Sequence, residues 1–418
     1  MKKLGSLQIH FRQWLEHGDN IPRIVAVAKV IGWSVLVSIA AVLHAFSPAL
    51  AYCVVGAFFW RGWIFCAAEY RILRDGPEAV HAAANAAQPG SSGQTIRFLS
   101  FNHFLRAPGL SNPHSKGELK SERLKYFVDN FIGKFDVVML QEMYSHNSTR
   151  LRQLVQGAAR QGLHFYVSGP GVKLLSSKVV DGALAIVSRY PIVDCDRIQF
   201  GAGIYSDSAQ AKGCIYAKVL IAEHKYIHCF TLHLQASYSL EACEESMATR
   251  RHQLLETIAF LRDKCQQSDA PIVLAGDFNI AGVEAEKDYE YTALMELLDT
   301  YKDGCRFEDP LKDSTKDGSH PVTTIPYIWD KDGNEIAVSS YLDTTEGQSS
   351  TYLKDIPKER QLEKRAQRLD YCFVCSNGSQ RVKVVDAQVQ KFHVDPSSNH
   401  GFALLSDHFG VVTELQFR

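Results

Sequence analysis

The chain has 418 residues, of which 46% are hydrophobic and 22% charged, which suits a globular protein with a large core and up to two or three domains. The formal net charge is only −1, so no overall basic surface points to a nucleic-acid partner. The charge is uneven, because residues 1–75 carry a net of +4, which leaves −5 for the rest. A basic, apolar end and a mildly acidic body indicate a membrane-facing end joined to a soluble body.

The most apolar stretch falls into two segments, at about 24–46 and 50–68, separated by a Ser47-Pro48 break. Each segment is at or just below the ~20 residues that a bilayer-spanning helix needs. Basic residues flank both outer ends, which predicts a hairpin or re-entrant insertion with both ends in the cytosol. A buried core hairpin is the alternative. A cleaved signal peptide is not favoured, because the apolar part is too long and begins too far into the chain.

Residues 76–95 are small and polar, with Gly, Ser and Pro, a composition typical of a linker. We therefore predict a membrane-associating region at 1–75, a linker at 76–95 and a soluble domain over 96–418. The polar, poorly patterned stretch at 305–365 is predicted to form long loops near one end of that domain.

Strands and helices alternate through the soluble domain. Helical spacing predicts three helices, which are Leu119–Ile132, Thr149–Ala159 and Ser246–Lys264. The last of these is predicted to point inward with Leu254, Leu255, Ile258 and Leu261. Short apolar runs predict the strands, which are Ile96–Phe101, Val137–Leu140, Phe165–Val167, Ala183–Val187, Cys214–Ile221, Tyr226–Leu234, Ile272–Leu274, Leu369–Val374 and Val411–Leu415.

Ten cysteines are scattered without a compact framework, which indicates mostly free thiols in a reducing compartment. Cys372 and Cys375 form a C-x-x-C pattern, but they lie in or next to a predicted strand. Residues three apart on a strand face opposite ways, so the pattern argues against a shared metal.

Polar residues lie at or just beyond the ends of several predicted strands. They are Asn102, Glu142, His233, Asp277, Asn279, Asp370, Asp407 and His408. Strand ends on one side of a packed sheet can converge on a single rim, where ligands bind. The set is rich in oxygen ligands, which suits Mg²⁺, with Mn²⁺ as a substitute. Together with two histidines and amide donors, such a cation fits in-line attack of water on a phosphate ester.

The motifs LSFNHF, LQEMY, SRYPIV, HLQA, GDFN, RLDY and SDH occur in an order and spacing that resemble the endonuclease/exonuclease/phosphatase (DNase I-like) superfamily. The resemblance covers roughly residues 96–418. Within the superfamily, HLQASY, SRYPIVD and DSAQAKG are similar to the membrane-bound animal branch of the neutral sphingomyelinases, which also carries two N-terminal apolar segments. One departure is Leu232, where that family usually has Thr before the histidine, and a lost hydroxyl would loosen local hydrogen bonding.

The resemblance implies an α/β fold, a four-layer sandwich of two packed mixed β-sheets flanked by helices, preceded here by the apolar hairpin. It also implies roles for single residues. Glu142 resembles the main Mg²⁺ ligand, with Asn102 nearby and Asp407 supporting the metal side. His408 resembles the general base, and Asp370 its orienting carboxylate. The remaining implied roles belong to Asp277 and Asn279, which would position the attacking water and the phosphate, and to His233, which would donate to phosphate oxygens.

Asp207 and Lys212 stand five residues apart in DSAQAKG, as in the membrane-bound animal branch. The resemblance implies a switch in a lid over the site. An exposed ion pair in a turn is the plainer alternative, and such pairs stabilise a protein little.

The implied activity is hydrolysis of sphingomyelin to ceramide and phosphocholine at the cytosolic face of the Golgi or plasma membrane, with anionic phospholipids as activators. A phospholipase C-type hydrolase of an inositol phosphosphingolipid or a lysophospholipid is the nearest alternative. A nuclease and an inositol polyphosphate phosphatase follow, although the acidic body argues against a nucleic-acid partner. A membrane-tethered pseudoenzyme that only binds lipid is the non-enzymatic alternative. Head-group choice and oligomeric state stay open.

Overall fold

A computed structural model describes most of the chain beyond residue 94. The described residues are 95–107, 119–145, 148–172, 178–237, 243–282, 289–301, 306–324, 367–376, 380–394, 400, 402 and 404–417. The predicted apolar segments and almost all of the predicted linker lie outside this part of the chain, so those assignments stay predictions. Within it, no helix is both long and apolar enough to cross a bilayer.

Twelve strands in the described residues form two six-stranded sheets. They are β1 (Thr95–Asn102), β2 (Val137–Gln141), β3 (Phe165–Gly169), β4 (Leu184–Ser188), β5 (Ile192–Gln199), β6 (Gly213–Ala222), β7 (Lys225–His233), β8 (Ile272–Asp277), β9 (Phe307–Glu308), β10 (Asp370–Cys375), β11 (Val382–Gln390) and β12 (Gly410–Phe417). The first sheet has the order β11-β12-β1-β2-β4-β3 and the second β5-β6-β7-β8-β10-β9. Each sheet is mixed, because β1–β2 and β7–β8 pair in parallel and the other pairs are antiparallel.

The alternation of buried residues along each strand builds three core layers. Phe98 and Met139 face the second sheet and contribute to the apolar layer between the sheets. Their neighbours Leu99 and Val138 face the other way, against the helices on the outer side of the first sheet. Because successive side chains on a strand point to opposite faces, one apolar run supplies two layers.

Helices cover the outer faces. They are α1 (Lys120–Asn130) and α2 (Arg150–Arg160) on the first sheet, and α3 (Cys243–Cys265) and α4 (Tyr289–Asp299) on the second. The short α5 (Pro310–Asp313) instead packs through Leu311 against the layer between the sheets. Two 3₁₀ turns, Ile132–Lys134 and Tyr205–Ala209, complete the described elements. The order helix, sheet, sheet, helix confirms the predicted four-layer sandwich of two mixed sheets.

The predicted elements are present, with ends shifted by a few residues, but one predicted inward residue is wrong. Leu255 is 42% exposed, whereas Leu254, Ile258 and Leu261 are buried. Spacings of four and three keep those three residues on one helix face, and the residue next to Leu254 is turned away by roughly 100°.

Several elements were not predicted. Strands β5 and β11 lie at sheet edges and alternate buried with more exposed positions, so no short apolar run marks them. Helix α4 was also missed, although Leu294 and Leu298 pack in the core. The predicted long loops at 305–365 are corrected for 306–324, which contain β9 and α5, and the rest of that range up to residue 366 lies outside the described residues. Cys372 and Cys375 face opposite sides of β10, as predicted.

A buried ion pair anchors the segment that enters β10. Arg368 is fully buried, and its Nη2 lies 2.6 Å from Oδ1 of Asp309. Nη1 of the same guanidinium lies 2.9 Å from Nδ1 of His320, and Tyr291 Oη donates to Asp309 Oδ2 at 2.8 Å. Removal of one partner would leave a buried charge without its counter-ion, which is strongly destabilising.

We expect Arg368→Met to lower the free energy of unfolding by about 3–5 kcal/mol, because Asp309 then stays buried and ionised. Urea unfolding followed by circular dichroism measures this. Lys125→Met is the matched control, since the exposed Lys125–Asp129 pair should contribute no more than about 1 kcal/mol. Equal effects of the two substitutions on the free energy of unfolding would contradict the stabilising role of the buried Arg368–Asp309 pair.

Candidate active site

Strand direction brings the polar residues of both sheets to one edge. In the first sheet, β1 and β2 run in parallel and end together, with Asn102 opposite Gln141. In the second sheet, β7 and β8 also run in parallel and end together, with His233 opposite Asp277. Strand β10 is antiparallel to β8 and therefore begins at the same edge, with Asp370 opposite Asp277.

Asn102 joins the carboxylates of the two sheets. Its Nδ2 donates to Asp277 Oδ2 at 2.9 Å and to Glu142 Oε1 at 3.3 Å. Its Oδ1 accepts from Phe104 N at 3.0 Å, and this fixes the amide orientation because only an oxygen can accept from a backbone N–H. In this arrangement Asn102 orients the two carboxylates rather than offering them an oxygen, and a role as a metal ligand would require its side chain to turn.

Three residues at this edge have unusual backbone conformations with positive φ angles. Glu142 and Asn279 adopt left-handed φ angles of 53° and 52°, which non-glycine residues rarely adopt. Gly276 has φ 149°, and a Cβ there would lie 2.1 Å from the Leu232 oxygen, so only glycine lets β7 and β8 approach so closely. Non-glycine strain of this kind costs of order 1–3 kcal/mol and clusters at functional sites.

Asp277 lies at the centre of the group. Its Oδ1 accepts from Asn279 N at 2.9 Å, while Asn279 Nδ2 donates to Leu234 O at 3.1 Å. Its Oδ2 accepts from Asn102 and lies 3.5 Å from His233 Nε2 and 3.8 Å from His408 Nε2. One carboxylate oxygen is thus shared by residues from both sheets.

His408 is held by a buried carboxylate. Its Nδ1 lies 2.9 Å from Asp370 Oδ2, so Nδ1 carries a proton and Nε2 is the second functional nitrogen. Thr323 Oγ1 donates to the same Asp370 oxygen at 2.7 Å. Ser406 accepts from His408 N at 3.1 Å and donates to Asn102 O at 2.6 Å, which joins the segment before β12, including Asp407, to the end of β1.

His233 is paired with a buried lysine. Lys212 Nζ donates to Asp207 Oδ2 and to Leu234 O, both at 2.7 Å, and lies 3.2 Å from His233 Nε2. An ammonium only donates, so His233 Nε2 accepts from it and the ring proton is on Nδ1. That buried Nδ1–H has no hydrogen-bond partner in the described part of the chain. The predicted role of His233 as a donor to phosphate oxygens stays a prediction.

The Asp207–Lys212 pair is not exposed, which rules out the plainer interpretation of the motif. Asp207 is 2% exposed and Lys212 5% exposed. Asp207 Oδ2 also accepts from Ala236 N at 2.9 Å, so the pair ties the 3₁₀ turn to the chain just after His233. Its role in a lid stays a prediction.

We expect Lys212→Met to lower kcat/KM of the phosphate-ester hydrolysis predicted from the sequence by about 10–100-fold. The charge-assisted hydrogen bond from Lys212 to buried His233 should contribute about 1.5–3 kcal/mol. Stability should fall by about 3–5 kcal/mol, since Asp207 would remain buried without its counter-ion. Steady-state kinetics and urea unfolding measure the two effects. A variant as stable and active as the parent would restore the exposed-pair interpretation.

Burial dominates the electrostatics of this edge, and the charges of neighbouring groups modify its effect. Burial, together with the nearby charge of Asp407, raises the pKa of Glu142 to about 7. Burial also raises the pKa of Asp277 to about 6, despite the favourable charge of His408. Burial works against a charge on His408, but Asp370, Asp277 and Asp407 outweigh it and hold the pKa of His408 well above its usual value. The pKa of His233 is well below its usual value, through burial and the charges of Lys212 and His408.

These residues fit a hard divalent cation. Carboxylates that repel one another in a buried place gain most from a cation, and the donor set is rich in oxygen, as Mg²⁺ prefers. Ligand atoms of Asp277, Asp370 and His408 lie within 4.8 Å of one another, a spacing that one ion can bridge. However, Asp370 Oδ2 is already occupied by His408 and Thr323. The assignment of the metal to Glu142, Asn102 and Asp407 from the sequence stays a prediction.

All ten predicted site residues lie at or beside this edge, although their individual roles stay predictions. Sequence reasoning missed three residues that position them. Thr323 binds Asp370, and Gln141 donates through Nε2 to Thr231 Oγ1 at 2.8 Å, which links the two sheets beneath the site. Thr323 lies in the polar stretch that carries no pattern, and Gln141 and Thr231 are polar residues inside strands. The last two gave a weak signal, since a buried polar side chain needs a partner.

Leu232, which departs from the expected threonine, is fully buried in the apolar layer beneath α3 and α4. A leucine fits that layer, and the adjacent His233 keeps its contacts with Lys212 and Asp277. The predicted loosening of hydrogen bonds is therefore not seen around His233.

The fold and the shared edge define a two-sheet α/β sandwich with a carboxylate–imidazole site. The chain belongs to the Endonuclease/Exonuclease/phosphatase family, whose model matches residues 99–408. Over 335 residues it is 28% identical to a sphingomyelinase of Dictyostelium discoideum, a match that covers 69% of this chain and 73% of that protein. It is 32% identical over 125 residues to sphingomyelinase C of Bacillus cereus, which covers 29% of this chain and 37% of that protein.

Among solved structures, the beta toxin of Staphylococcus aureus superposes with a TM-score of 0.51 at 18% identity, covering 76% of this chain and 99% of that chain. At that identity the likeness shows the fold alone. Together the matches confirm the family, the sandwich fold and the resemblance to sphingomyelinases that the motifs indicated.

Proposed function

We propose that this protein is a Mg²⁺-dependent phosphodiesterase that hydrolyses sphingomyelin to ceramide and phosphocholine. The observation that carries the proposal is the geometry of His408. Its Nδ1 lies 2.9 Å from Asp370 Oδ2 and its Nε2 lies 3.8 Å from Asp277 Oδ2, beside Glu142 and Asn102. A base, a carboxylate and oxygen ligands at one edge are the groups that attack of water on phosphorus needs. The similarity to sphingomyelinases from two organisms supports the choice of lipid.

His408 acts as the general base in this proposal, in its neutral form, which a bound cation would favour because it offsets the carboxylate charges that raise the pKa of His408 in the metal-free protein. Asp370 holds its Nδ1–H, which leaves Nε2 to take a proton from the attacking water and then to carry a charge that Asp370 stabilises. Asp277 Oδ2 lies close enough to Nε2 to accept the second hydrogen of the same water. Asn279, fixed by its bonds to Asp277 and Leu234, would help to position the water and the phosphate.

His233 and Lys212 stabilise the charge that builds on the phosphate oxygens. The His233 Nδ1–H is a buried donor without a partner in the described residues, and donors that are already oriented need no reorganisation as the charge develops. Lys212 places a positive charge 3.2 Å from that ring, which strengthens the local positive potential.

Glu142 and Asp407 would hold the Mg²⁺, with Asn102 orienting the Glu142 carboxylate. When bound, the ion supplies positive charge to the phosphate and to the leaving oxygen. The chain's own residues supply the base, the donors and the geometry.

The membrane is the proposed place of action. The two apolar segments at about 24–46 and 50–68 would anchor the catalytic domain beside a lipid that stays in the bilayer, at the cytosolic face of the Golgi or plasma membrane. Anchoring raises the effective concentration of substrate without a new contact. The basic residues around the segments would attract anionic phospholipids, which we propose as activators.

A micelle assay with the full chain tests the proposal. Sphingomyelin, inositol phosphoceramide and lysophosphatidylcholine are each presented in detergent with Mg²⁺, and release of the phosphorylated head group is measured. We expect phosphocholine from sphingomyelin, and loss of that release when EDTA removes the metal. Turnover of another diester without release from sphingomyelin would overturn the substrate. Release that persists in EDTA would overturn the metal requirement.

A further inference from the structure

Thr323 occupies a fully buried position beside the Asp370–His408 pair, and no sequence motif marks it. Its hydroxyl makes three contacts. It accepts from Leu369 N at 3.0 Å and from Asp370 N at 3.1 Å, and it lies 2.7 Å from Asp370 Oδ2. A hydroxyl has two lone pairs and one hydrogen. Since the two amides occupy the lone pairs, the hydrogen can only go to the Asp370 carboxylate.

The same carboxylate oxygen also binds the base. Asp370 Oδ2 accepts from Thr323 on one side and from His408 Nδ1 on the other, whereas Oδ1 has no hydrogen-bond partner among the described residues. The Thr323 hydroxyl is therefore the side-chain contact, apart from His408 itself, that fixes the rotation of this carboxylate about its own axis. Without it the Oδ2 that orients the imidazole would be free to turn away.

The Thr323 main chain connects the other half of the pair. Its oxygen accepts from Phe409 N at 2.6 Å, and the next residue, Thr324, forms a β-bridge with His408. Thr323 thus contacts the Asp370 carboxylate through its side chain, and its backbone contacts the segment before β12 that carries His408. A substitution of the side chain changes the first contact and leaves the second in place.

We propose that Thr323 is a positioning residue that orients the Asp370 carboxylate toward His408, so that the imidazole keeps Nε2 toward the reacting water. The proposal rests on the proposed hydrolysis for its kinetic consequence, but the orientation itself belongs to the protein without substrate. A purely structural role, as an acceptor for the Leu369 and Asp370 amides, is the interpretation that the experiment must separate.

The kinetic test compares three variants of the full chain. Thr323→Val keeps the shape and removes the hydroxyl, and we expect kcat to fall by about 10–100-fold with KM nearly unchanged, as for partners that orient a functional group. Thr323→Ser keeps the hydroxyl and should restore kcat to within about threefold of the parent, a tolerance small beside that loss. Thr324→Val removes hydrogen bonds from the same segment, to Gln367 N and O, without touching Asp370, and should leave kcat unchanged.

A double-substitution cycle separates orientation from anchoring. If Thr323 acts through Asp370, Thr323→Val should cost no further kcat in a protein that already carries Asp370→Ala. If it acts by anchoring the segment, the two losses multiply. Multiplied losses, a valine variant with normal kcat, or a serine variant as slow as the valine variant would each overturn the proposal.

A spectroscopic readout does not depend on the substrate. The Nδ1 proton of His408 lies in the hydrogen bond to Asp370, and its NMR resonance can be assigned by its loss in His408→Ala. We expect Thr323→Val to shift or broaden this resonance and Thr324→Val to leave it in place. If the protein hydrolyses no sphingomyelin, this measurement still decides the role of Thr323, and an unshifted resonance in the folded valine variant would refute it.

Discussion

His408→Ala is expected to lower the rate of phosphodiester hydrolysis by about 10²–10⁴-fold, the usual contribution of a general base. The imidazole is the group at this edge whose Nε2 is directed toward Asp277 while Nδ1 is held by Asp370. The fold should survive, because the Asp370 carboxylate keeps its bond to Thr323. Initial rates on micelles, together with circular dichroism, measure both properties.

The control for this substitution is His252→Ala. His252 lies on the exposed side of α3, with 59% of its side chain accessible, and pairs with Glu256 in the next helical turn. It should retain full activity. A His408→Ala protein that still turns over substrate at the parent rate would exclude His408 as the base, whereas a parent protein that binds the lipid without hydrolysing it would favour a lipid-binding role for the domain.

Glu142→Gln is expected to lower turnover by about 100-fold or more at a fixed Mg²⁺ concentration. Loss of an outer-shell partner already costs about 10–100-fold in metal affinity or activity, and Glu142 is the proposed ligand itself. Glutamine keeps the size of the side chain and the contact with Asn102 but removes the charge. Activity measured against Mg²⁺ concentration should show a large rise in the concentration that gives half-maximal rate.

Thermal unfolding gives an independent test of the same residue. Burial and the charge of Asp407 make an ionised Glu142 costly without a cation. The metal-free Glu142→Gln protein should therefore unfold at the same temperature as the parent or higher. Saturating Mg²⁺ should raise the midpoint of the parent, because an ion that binds only the folded state stabilises it. The same Mg²⁺ concentration should leave the unfolding midpoint of Glu142→Gln unchanged.

Glu223→Gln serves as the matched control, since the Glu223 side chain is 85% exposed and has no proposed role in metal binding. An equal Mg²⁺ response in the parent and in Glu142→Gln would place the metal elsewhere. Asp277 and Asp370 would then be the carboxylates to examine, because their oxygens and a His408 nitrogen lie close together.

The local sequence pattern determined much of the fold of this protein. Short apolar runs such as Val137–Val138 and Ile272–Leu274 place one side chain on each face of a strand, and the hydrophobic effect buries both. Polar residues directly after such runs have to leave the core, so Glu142 and Asp277 were recognisable as candidate site residues. The edge strands β5 and β11 gave no such signal, because one of their faces is polar.

Only the tertiary structure decided how those candidates are joined. Asn102 and Asp277 lie 175 residues apart in the chain, and Ser406 reaches Asn102 across 304 residues. No local periodicity encodes such contacts, because they depend on which strands become neighbours and in which register. The role of Thr323 was unpredictable for the same reason, because its hydroxyl reaches Asp370 only after β10 and the segment before β12 have packed around it.

Burial was the second property that the sequence left open. Asp207 and Lys212 have the composition of an exposed pair, yet the structure encloses both and brings the ammonium against His233. The sequence shows which charged residues could pair. The contribution of such a pair to stability depends on how far it is removed from water, and only the packing of the sheets determines that.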